Sequence, residues 1–156
     1  MLSFLKQRIV VLVYPFVRLY WRVMKPRGYG ARAIVLHDNQ ILLVKTVYGT
    51  YWGTTGGMMS RGESPEACAL RELKEETGIT GEIAYKLGTY ASAQEGKRDT
   101  IHVFVVHADK KDLSLEWELA SAQWFPLNAL PQDVSPATKR RLDEMRAGQR
   151  DMEGPW

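Results

Sequence analysis

The order of segments along the chain predicts an α/β protein in which a sheet lies between helices, an α/β/α sandwich. Apolar, β-prone runs make up much of the chain, and two segments among them open with helix-start signals. Strands interspersed with helices in this way are typical of a sheet covered on both faces. The length of 156 residues suits a single core, and 45% hydrophobic with 25% charged residues is ordinary globular usage.

The first predicted element is a basic amphipathic helix over residues 1–27. Its longest uncharged run, residues 9–17, contains Pro15 and is far shorter than the roughly 20 apolar residues that span a bilayer. No small-residue cleavage site follows it, which argues against a secretory signal. Apolar side chains recur at helical spacing, as expected for one apolar face: Leu2, Leu5, Ile9, Leu12, Phe16, Leu19 and Val23.

The charge of this segment leaves two interpretations open. Residues 1–37 hold seven Lys or Arg and no acid, so the rest of the chain has 14 basic against 18 acidic residues, a net charge of −4. The helix packs against the domain or forms a homodimer through residues 1–26, or it lies on an anionic membrane. The second interpretation predicts a cytoplasmic protein held peripherally at the inner membrane surface.

Composition argues against several other classes of protein. The basic pI belongs to the N-terminal segment, so it does not predict binding to a nucleic acid duplex. Cys68 is the single cysteine, which excludes an intramolecular disulfide and favours a reducing compartment. His37, His102 and His107 stand singly in strand-like runs, without the spacing of a zinc site.

The main domain is expected over residues 28–147, after a boundary at Pro26 and Gly28. Asp38 and Asn39 form a turn signal between two β-prone runs and predict a hairpin. The predicted strands are residues 31–37, 41–47, 82–92, 100–108 and 122–126, with a final helix from Ser135-Pro136 to about residue 146. The remaining residues, 148–156, are expected to form a loose tail.

The first helix of the domain is expected between Ser64 and Gly78. Serine is a preferred N-cap, and Pro65 is tolerated in the first turn because an N–H group there has no helical partner. Glycine ends a helix readily because it adopts the left-handed conformation of the C-terminal cap. Leu70, Leu73 and Thr77 share one side of this helix and are expected to pack inward.

Three carboxylates occupy another side of the same helix. Glu72, Glu75 and Glu76 fall within an arc of about 100°, and Arg71 can pair with Glu75 four residues later. Clustered like charges repel one another, so the arrangement is either a solvated acidic face or a cation site. A hard divalent ion prefers oxygen ligands and offsets the charge, so the pattern favours Mg²⁺ or Mn²⁺ as the cofactor.

The spacing of this segment resembles the signature box of the Nudix hydrolase family. The box runs from Gly57 through Glu63 to Arg71 and ends at Ile79, and every specified position matches. Thr55 stands where the family often has proline before its paired glycines. The resemblance extends over about residues 28–146 and implies an α/β/α sandwich with a mixed sheet. It also implies hydrolysis of a nucleoside diphosphate linked to another group, a small-molecule nucleotide substrate.

The resemblance also implies roles for individual residues. Arg71 orients the carboxylates, Glu63 braces the loop, and Arg61 is a candidate for substrate binding. Gly56 and Gly57 let the backbone approach metal and phosphates, and the carbonyl of Gly56 is a candidate further ligand. The metal ligands implied by the box are Glu72, Glu75 and Glu76, and Glu72 and Glu75 also count as catalytic residues with Arg71.

The general base has two candidate sources. Crowding of like charges raises the pKa of at least one carboxylate, so a box glutamate could accept a proton. The family also recruits an acid from outside the box. Glu118 lies six residues before Trp124 and resembles that loop acid, with Glu116 and Glu95 in reserve.

The substrate is not determined by markers outside the box. The residues that mark relatives hydrolysing ADP-ribose, dinucleoside polyphosphates or NADH are absent here, which leaves a nucleoside triphosphate, a nucleotide sugar or a lipid-linked nucleotide. Tyr51 and Trp52 could stack on a base or pack in the core. The alternative function is a non-catalytic, nucleotide-binding regulatory protein with the same fold, for which a broken box would be expected.

Overall fold

The computed structural model describes residues 27–93 and 98–156, together with Val13, Phe16, Val17, Leu19, Tyr20 and Val23. Those six N-terminal residues are helical, and the rest of the predicted N-terminal helix lies outside the described residues. Along the main domain the elements are β1 (Arg27–His37), β2 (Gln40–Thr46), β3 (Thr55–Met58), α1 (Pro65–Thr77), β4 (Gly81–Ser92), β5 (Arg98–Ala108), β6 (Leu119–Pro126), α2 (Pro136–Arg146) and β7 (Met152–Pro155). In the described part of the chain, no helix is long and apolar enough to cross a membrane.

All of these strands belong to one seven-stranded mixed sheet. Its order is β6-β2-β1-β5-β4-β7, and β3 pairs with β1 outside this path. The β1–β5 and β4–β7 pairs are parallel, and the other pairs are antiparallel. The prediction of a mixed sheet in an α/β/α sandwich is therefore confirmed.

The hairpin between β1 and β2 forms where its turn residues predict it. Asp38 and Asn39 both have positive φ, 45° and 61°, and His37 pairs with Gln40 across the turn. Two consecutive residues of positive φ match the twist of the flanking strands, and Asp and Asn tolerate that conformation.

Alternation along β1 divides the core between the two faces of the sheet. Ala33 and Val35 are fully buried in the cluster that packs with Leu73 of α1. Ile34, one position away, is fully buried in the second cluster, which contains Leu142 of α2. Because side chains of a strand alternate between faces, one strand supplies both layers of the sandwich.

The prediction of a loose C-terminal tail is wrong. Residues Met152–Pro155 form β7, which pairs parallel with β4, and the Trp156 N–H donates to the Ala91 carbonyl at 2.8 Å. Arg141 of α2 lies 3.8 Å from the Tyr90 ring centroid and donates to the Pro155 carbonyl at 3.1 Å. The short, polar tail has little strand propensity, and contacts with α2 and β4 determine its conformation.

A second difference concerns the residues before the box. The segment Thr55–Met58, which is not among the strands that the sequence predicts, forms β3 and pairs antiparallel with β1, with Gly57 opposite Ala31. Paired glycines have low strand propensity because they offer no side chain to pack. Pairing with β1 supplies the backbone hydrogen bonds that make the segment a strand.

Candidate active site

The box helix α1 begins and ends at the predicted caps. The Ser64 side chain accepts a hydrogen bond from the Ala67 N–H, and Pro65 occupies the first turn. Gly78 has a left-handed φ of 71° and donates to the Lys74 carbonyl. Leu73 and Thr77 are fully buried, as expected, so α1 is held against the sheet with its acidic side directed away from the core.

Arg71 lies at the centre of the acidic side of α1 and bonds to several carboxylates there. Its Nε and Nη2 donate to the two oxygens of Glu63 at 2.7 and 2.9 Å. Its Nη1 donates to Glu72 at 2.8 Å and to Glu75 at 2.9 Å, and the latter is the predicted pair at four-residue spacing. One cation therefore orients three carboxylates, and the group keeps an excess of negative charge.

Glu63 connects Arg71 to the loop that precedes α1. Its Oε2 accepts a hydrogen bond from the Ser60 N–H at 2.8 Å. The hydrogen bond from Arg71, and after it the one from Ser60, lower the pKa of Glu63 to about 2. Glu63 therefore stays charged and ties the loop to the helix, in the bracing position that the resemblance implies.

Glu76 is the carboxylate of the group whose pKa is raised. Its Oε2 accepts the Gly56 N–H at 3.1 Å. The pKa of Glu76 is raised to about 7, chiefly by burial and in smaller part by the charges of Glu72 and Glu118, while the Gly56 hydrogen bond and the charge of Arg32 act against the rise. A cation placed among these carboxylates would favour the charged form of Glu76.

Because the paired glycines of β3 have no side chains, they leave space for the Glu72 carboxylate and for the backbone of β1. A Cβ added at Gly57 would lie 2.5 Å from the Glu72 carboxyl carbon, so any side chain there would displace that carboxylate. Gly56 has φ +140°, and a Cβ there would meet the Ala31 carbonyl oxygen at 2.2 Å. The backbone of β3 and the carboxylates of α1 therefore approach each other closely only because both positions are glycine.

The donors available to a metal ion here are all oxygens, which suits a hard divalent cation. The space at Gly57 lies directly against Glu72, and the buried Glu76 carboxylate would gain a counter-charge. Among the residues that the structure describes, no three His, Cys, Asp or Glu side chains stand close enough together to hold a metal as they are. Glu72 and Glu75 both point to Arg71, so ligation by both requires their side chains to rotate.

Two of the three candidate general bases from outside the box, Glu118 and Glu116, lie in the described part of the chain. Glu118 is an exposed residue directly before β6, and its charge reaches Glu76. Glu116 donates its backbone N–H to the Glu76 carbonyl at 3.0 Å, which ties this loop to the end of α1. Glu95 lies outside the described residues. Arg61 is exposed in the turn between β3 and α1.

Arg32 lies beside the box although no sequence motif predicts it as a site residue. In the register of β1 and β3 it lies opposite Gly56, and its Nη1 donates to the Thr54 carbonyl at 3.0 Å. Its charge acts on Glu76. In the sequence, Arg32 is noticeable only as a charged residue within the apolar run 31–37. The pairing of β1 with β3 is what brings it beside the box.

Comparison with known proteins identifies the family. The NUDIX domain model matches residues 26–145. A putative 8-oxo-dGTP diphosphatase of Bacillus subtilis (strain 168) is 33% identical over 125 residues, which cover 79% of this chain and 83% of that protein. Diphosphoinositol polyphosphate phosphohydrolase 3-alpha of Mus musculus is 28% identical over 141 residues, covering 81% of this chain and 84% of that protein.

A solved structure agrees with this assignment. The crystal structure of a MutT NUDIX hydrolase from Burkholderia pseudomallei superposes with a TM-score of 0.67 at 30% identity, over 76% of this chain and 97% of that one. The sheet, the position of α1 and the residues matched by the family model agree with the resemblance of the box. The chain therefore belongs to the Nudix hydrolase family.

Proposed function

We propose that this protein is a metal-dependent hydrolase that cleaves a phosphoanhydride bond in a nucleotide, a nucleoside diphosphate linked to another group. The observation that carries the proposal is the environment of Glu76. This half-buried carboxylate lies beside the backbone of the paired glycines, with two further carboxylates of α1 held by one arginine. An all-oxygen group of this charge suits Mg²⁺ or Mn²⁺ better than a softer metal.

In this proposal Glu72, Glu75 and Glu76 hold the cation, and the Gly56 carbonyl is a further candidate ligand. A divalent ion bound there would neutralise phosphate oxygens and lower the pKa of a coordinated water. Arg71 keeps Glu72 and Glu75 oriented, because its Nη1 contacts both carboxylates. Backbone at Gly56 and Gly57 can approach the phosphates closely, and exposed Arg61 offers a positive charge beside them.

We assign the general base to Glu118. Its charge acts on Glu76 from outside the helix, and in this assignment its carboxylate reaches a water beside the proposed cation. An exposed carboxylate at the start of β6 can accept a proton from a water and release it to solvent. The box glutamates are the competing candidates, and replacing Glu118 separates the two assignments.

The proposal is tested with purified full-length protein and a panel of nucleoside triphosphates, nucleotide sugars and ADP-ribose. Each compound is incubated with Mg²⁺, Mn²⁺ or EDTA, and the release of phosphate and of nucleoside monophosphate is measured. We expect hydrolysis that requires the metal. Nucleotide binding without product from any compound would support the non-catalytic, regulatory alternative instead.

We further propose that the N-terminal segment holds the enzyme at an anionic membrane surface. Its described apolar residues Val13, Phe16, Leu19, Tyr20 and Val23 are between 48% and 74% exposed and share an arc of about 120°. Residues 1–37 carry seven basic and no acidic side chains. Pairing of two such segments in a dimer would place like charges together, whereas anionic lipid attracts them.

Co-sedimentation of full-length protein with vesicles of phosphatidylglycerol or of phosphatidylcholine tests this location. Binding to the anionic vesicles should weaken as salt rises, because exposed charges are screened. Phe16→Glu should reduce it, and Leu115→Glu, which alters an exposed apolar residue of the main domain, should not. Protein that stays in the supernatant with anionic vesicles at low salt would exclude the membrane proposal and return the segment to the dimer interpretation.

A further inference from the structure

A cleft of about 450 Å³ lies at the end of the sheet where β1 and β5 begin. Because these two strands are parallel, both of them start at this end. Residues 91–93, at the end of β4, also line the cleft. Residue 26 directly precedes β1. The cleft therefore lies where the N-terminal segment joins the main domain.

Two arginines line the cleft side by side. Arg27 and Arg98 are partners in the register of β1 and β5, so their side chains lie on the same face of the sheet. Both are exposed, and neither side chain forms an ion pair or a hydrogen bond with a described residue. Like charges on neighbouring strands destabilise the pairing. An anion between the two guanidinium groups would relieve this repulsion and could accept hydrogen bonds from both.

The acidic residue of the cleft lies on the other face of the sheet. Asp99 follows Arg98 in β5, and successive side chains of a strand point to opposite faces. The Asp99 Oδ1 atom is buried, and a Cβ added at Gly28 would lie 2.5 Å from it. Among the residues that line the cleft, the face with the two arginines therefore carries no acid.

An exposed aromatic ring accompanies the two arginines. Tyr29 lies two residues after Arg27 on the same face of β1 and is 56% exposed. In the register it lies opposite Thr100, whose hydroxyl can also donate to an anion. Tyrosine is enriched at membrane–water interfaces because its ring is apolar and its hydroxyl is polar. This set of side chains suits the headgroup level of an anionic bilayer.

The segment that precedes the cleft favours a lipid over a soluble anion. Residues 1–26 contain five Lys or Arg and no acid, and Arg27 follows them directly. If this segment lies on an anionic membrane, it brings the start of β1 to the same surface. Phosphate groups are concentrated at that surface, and they attract the basic residues beside it.

We propose that the cleft between Arg27 and Arg98 binds the phosphate of an anionic phospholipid headgroup, with the Thr100 hydroxyl as a further donor and Tyr29 at the interface. The inference rests on the membrane location proposed for the N-terminal segment. It adds a second contact with the bilayer, made by the main domain itself. Two contacts, unlike one, fix the orientation of the domain on the membrane.

Charge reversal tests the cleft in the full-length protein. Arg98→Glu should weaken co-sedimentation with phosphatidylglycerol vesicles by about fivefold or more, because each basic residue near an anionic surface contributes roughly that factor. The fold should persist, since the new carboxylate would face Arg27, and thermal melts check this.

Lys110→Glu is the matched control, because it makes the same change of charge at an exposed residue beyond the other end of β5. A strand of this length places the two positions about 35 Å apart. Exposed charges at that distance are screened from each other by salt. Lys110→Glu should therefore bind the vesicles like the wild type.

NMR spectra of the isotope-labelled full-length protein separate a lipid headgroup from a free anion. The protein is titrated with dihexanoyl phosphatidylglycerol below its micelle concentration and, in a second series, with inorganic phosphate. We expect saturable shifts of the Arg98 and Thr100 amide signals with the lipid. Inorganic phosphate at the same concentration should cause smaller shifts, because it offers nothing apolar to Tyr29.

Three results would overturn the proposal: equal losses of vesicle binding in Arg98→Glu and Lys110→Glu, no response of the two amides to the lipid, or an equal response to inorganic phosphate. Failure of the membrane location looks different, because neither the wild type nor any variant would then bind vesicles, and the amide response alone would decide the proposal. Failure of the hydrolase assignment would change neither measurement.

Discussion

Both helices of the domain begin with a serine N-cap followed by proline, and in each of them an arginine on the inner part of the helix contacts a carboxylate. In α1, the side chain of Arg71 is 31% exposed and bonds to three glutamates. In α2, the side chain of Arg141 is 4% exposed, forms an ion pair with Glu144 at 2.7 Å and lies over the Tyr90 ring. Similar local sequence signals thus produce two different electrostatic arrangements.

The difference lies in the balance of charge around each arginine. Arg141 and Glu144 form a matched, nearly buried pair, and removing one partner of such a pair leaves the other uncompensated. Arg71 is outnumbered by its carboxylates, so the group around it still attracts a cation. Arg141 of α2 thus supports the fold, whereas α1 keeps an excess of negative charge that the proposed cation would offset.

The largest effect is expected from the carboxylates of α1. Glu72→Gln and Glu76→Gln should each lower kcat by about a thousandfold, because each removes charge from the proposed cation site. Neither should lower the melting temperature appreciably, since Gln keeps the shape of Glu and burial already disfavours the charged form of Glu76. Steady-state kinetics with Mg²⁺ and thermal melts measure both. Full activity in both variants would remove the metal-ligand assignment.

Replacing Arg141 of α2 should have the opposite effect, a loss of stability with little change in kcat. Arg141→Met should cost about 3 kcal/mol of unfolding free energy, because it leaves Glu144 partly buried without its partner and releases the Pro155 carbonyl. Well below the melting temperature its kcat should stay close to the wild-type value. Arg71→Met is the matched control, with kcat strongly reduced and stability changed by about 1 kcal/mol or less. Urea denaturation and kinetics of both variants test the contrast.

A somewhat smaller kinetic effect is expected from Glu118, which adds charge beside Glu76 from outside the helix. Glu118→Gln should lower kcat by about a hundredfold, with little change in KM, if it acts on the attacking water. The pH–rate profile should also lose an ionisation on its acid side. A variant with wild-type kcat would return the base role to the box glutamates or to Glu95.

The smallest effect is expected from replacing Glu63, which ties the loop before α1 to Arg71. This effect on the stability of the fold should depend on pH. The folded-state pKa of Glu63 is about 2, below the ordinary value of 4.5, so its ion pair stabilises the fold above pH 4.5. That contribution is lost as the pH falls from 4.5 toward 2. Glu63→Gln should therefore be less stable than the wild type at pH 7, and the difference should shrink in acid. Urea midpoints that differ equally at pH 7 and pH 3 would contradict this.

Local chemistry explains why much of the domain could be predicted. Ser64 and Gly78 bound α1 because a side-chain hydroxyl and a left-handed residue satisfy the helix ends without help from the rest of the chain. Asp38 and Asn39 likewise set the hairpin through their own backbone conformation. The pairing of Arg71 with Glu75 also depends only on helical spacing. Such features depend on residues within one turn of each other.

The box helix, its acidic side and the basic character of the N-terminal segment follow from spacing and charge, which are properties of neighbouring residues. In contrast, the pairing of β3 and β7 as strands, the place of Arg32 beside Gly56 and the pocket that Trp156 and Thr54 line arise only when distant segments meet in the fold. These features depend on hydrogen bonds and burial between residues far apart in the chain. No local pattern encodes which distant strand supplies the partner.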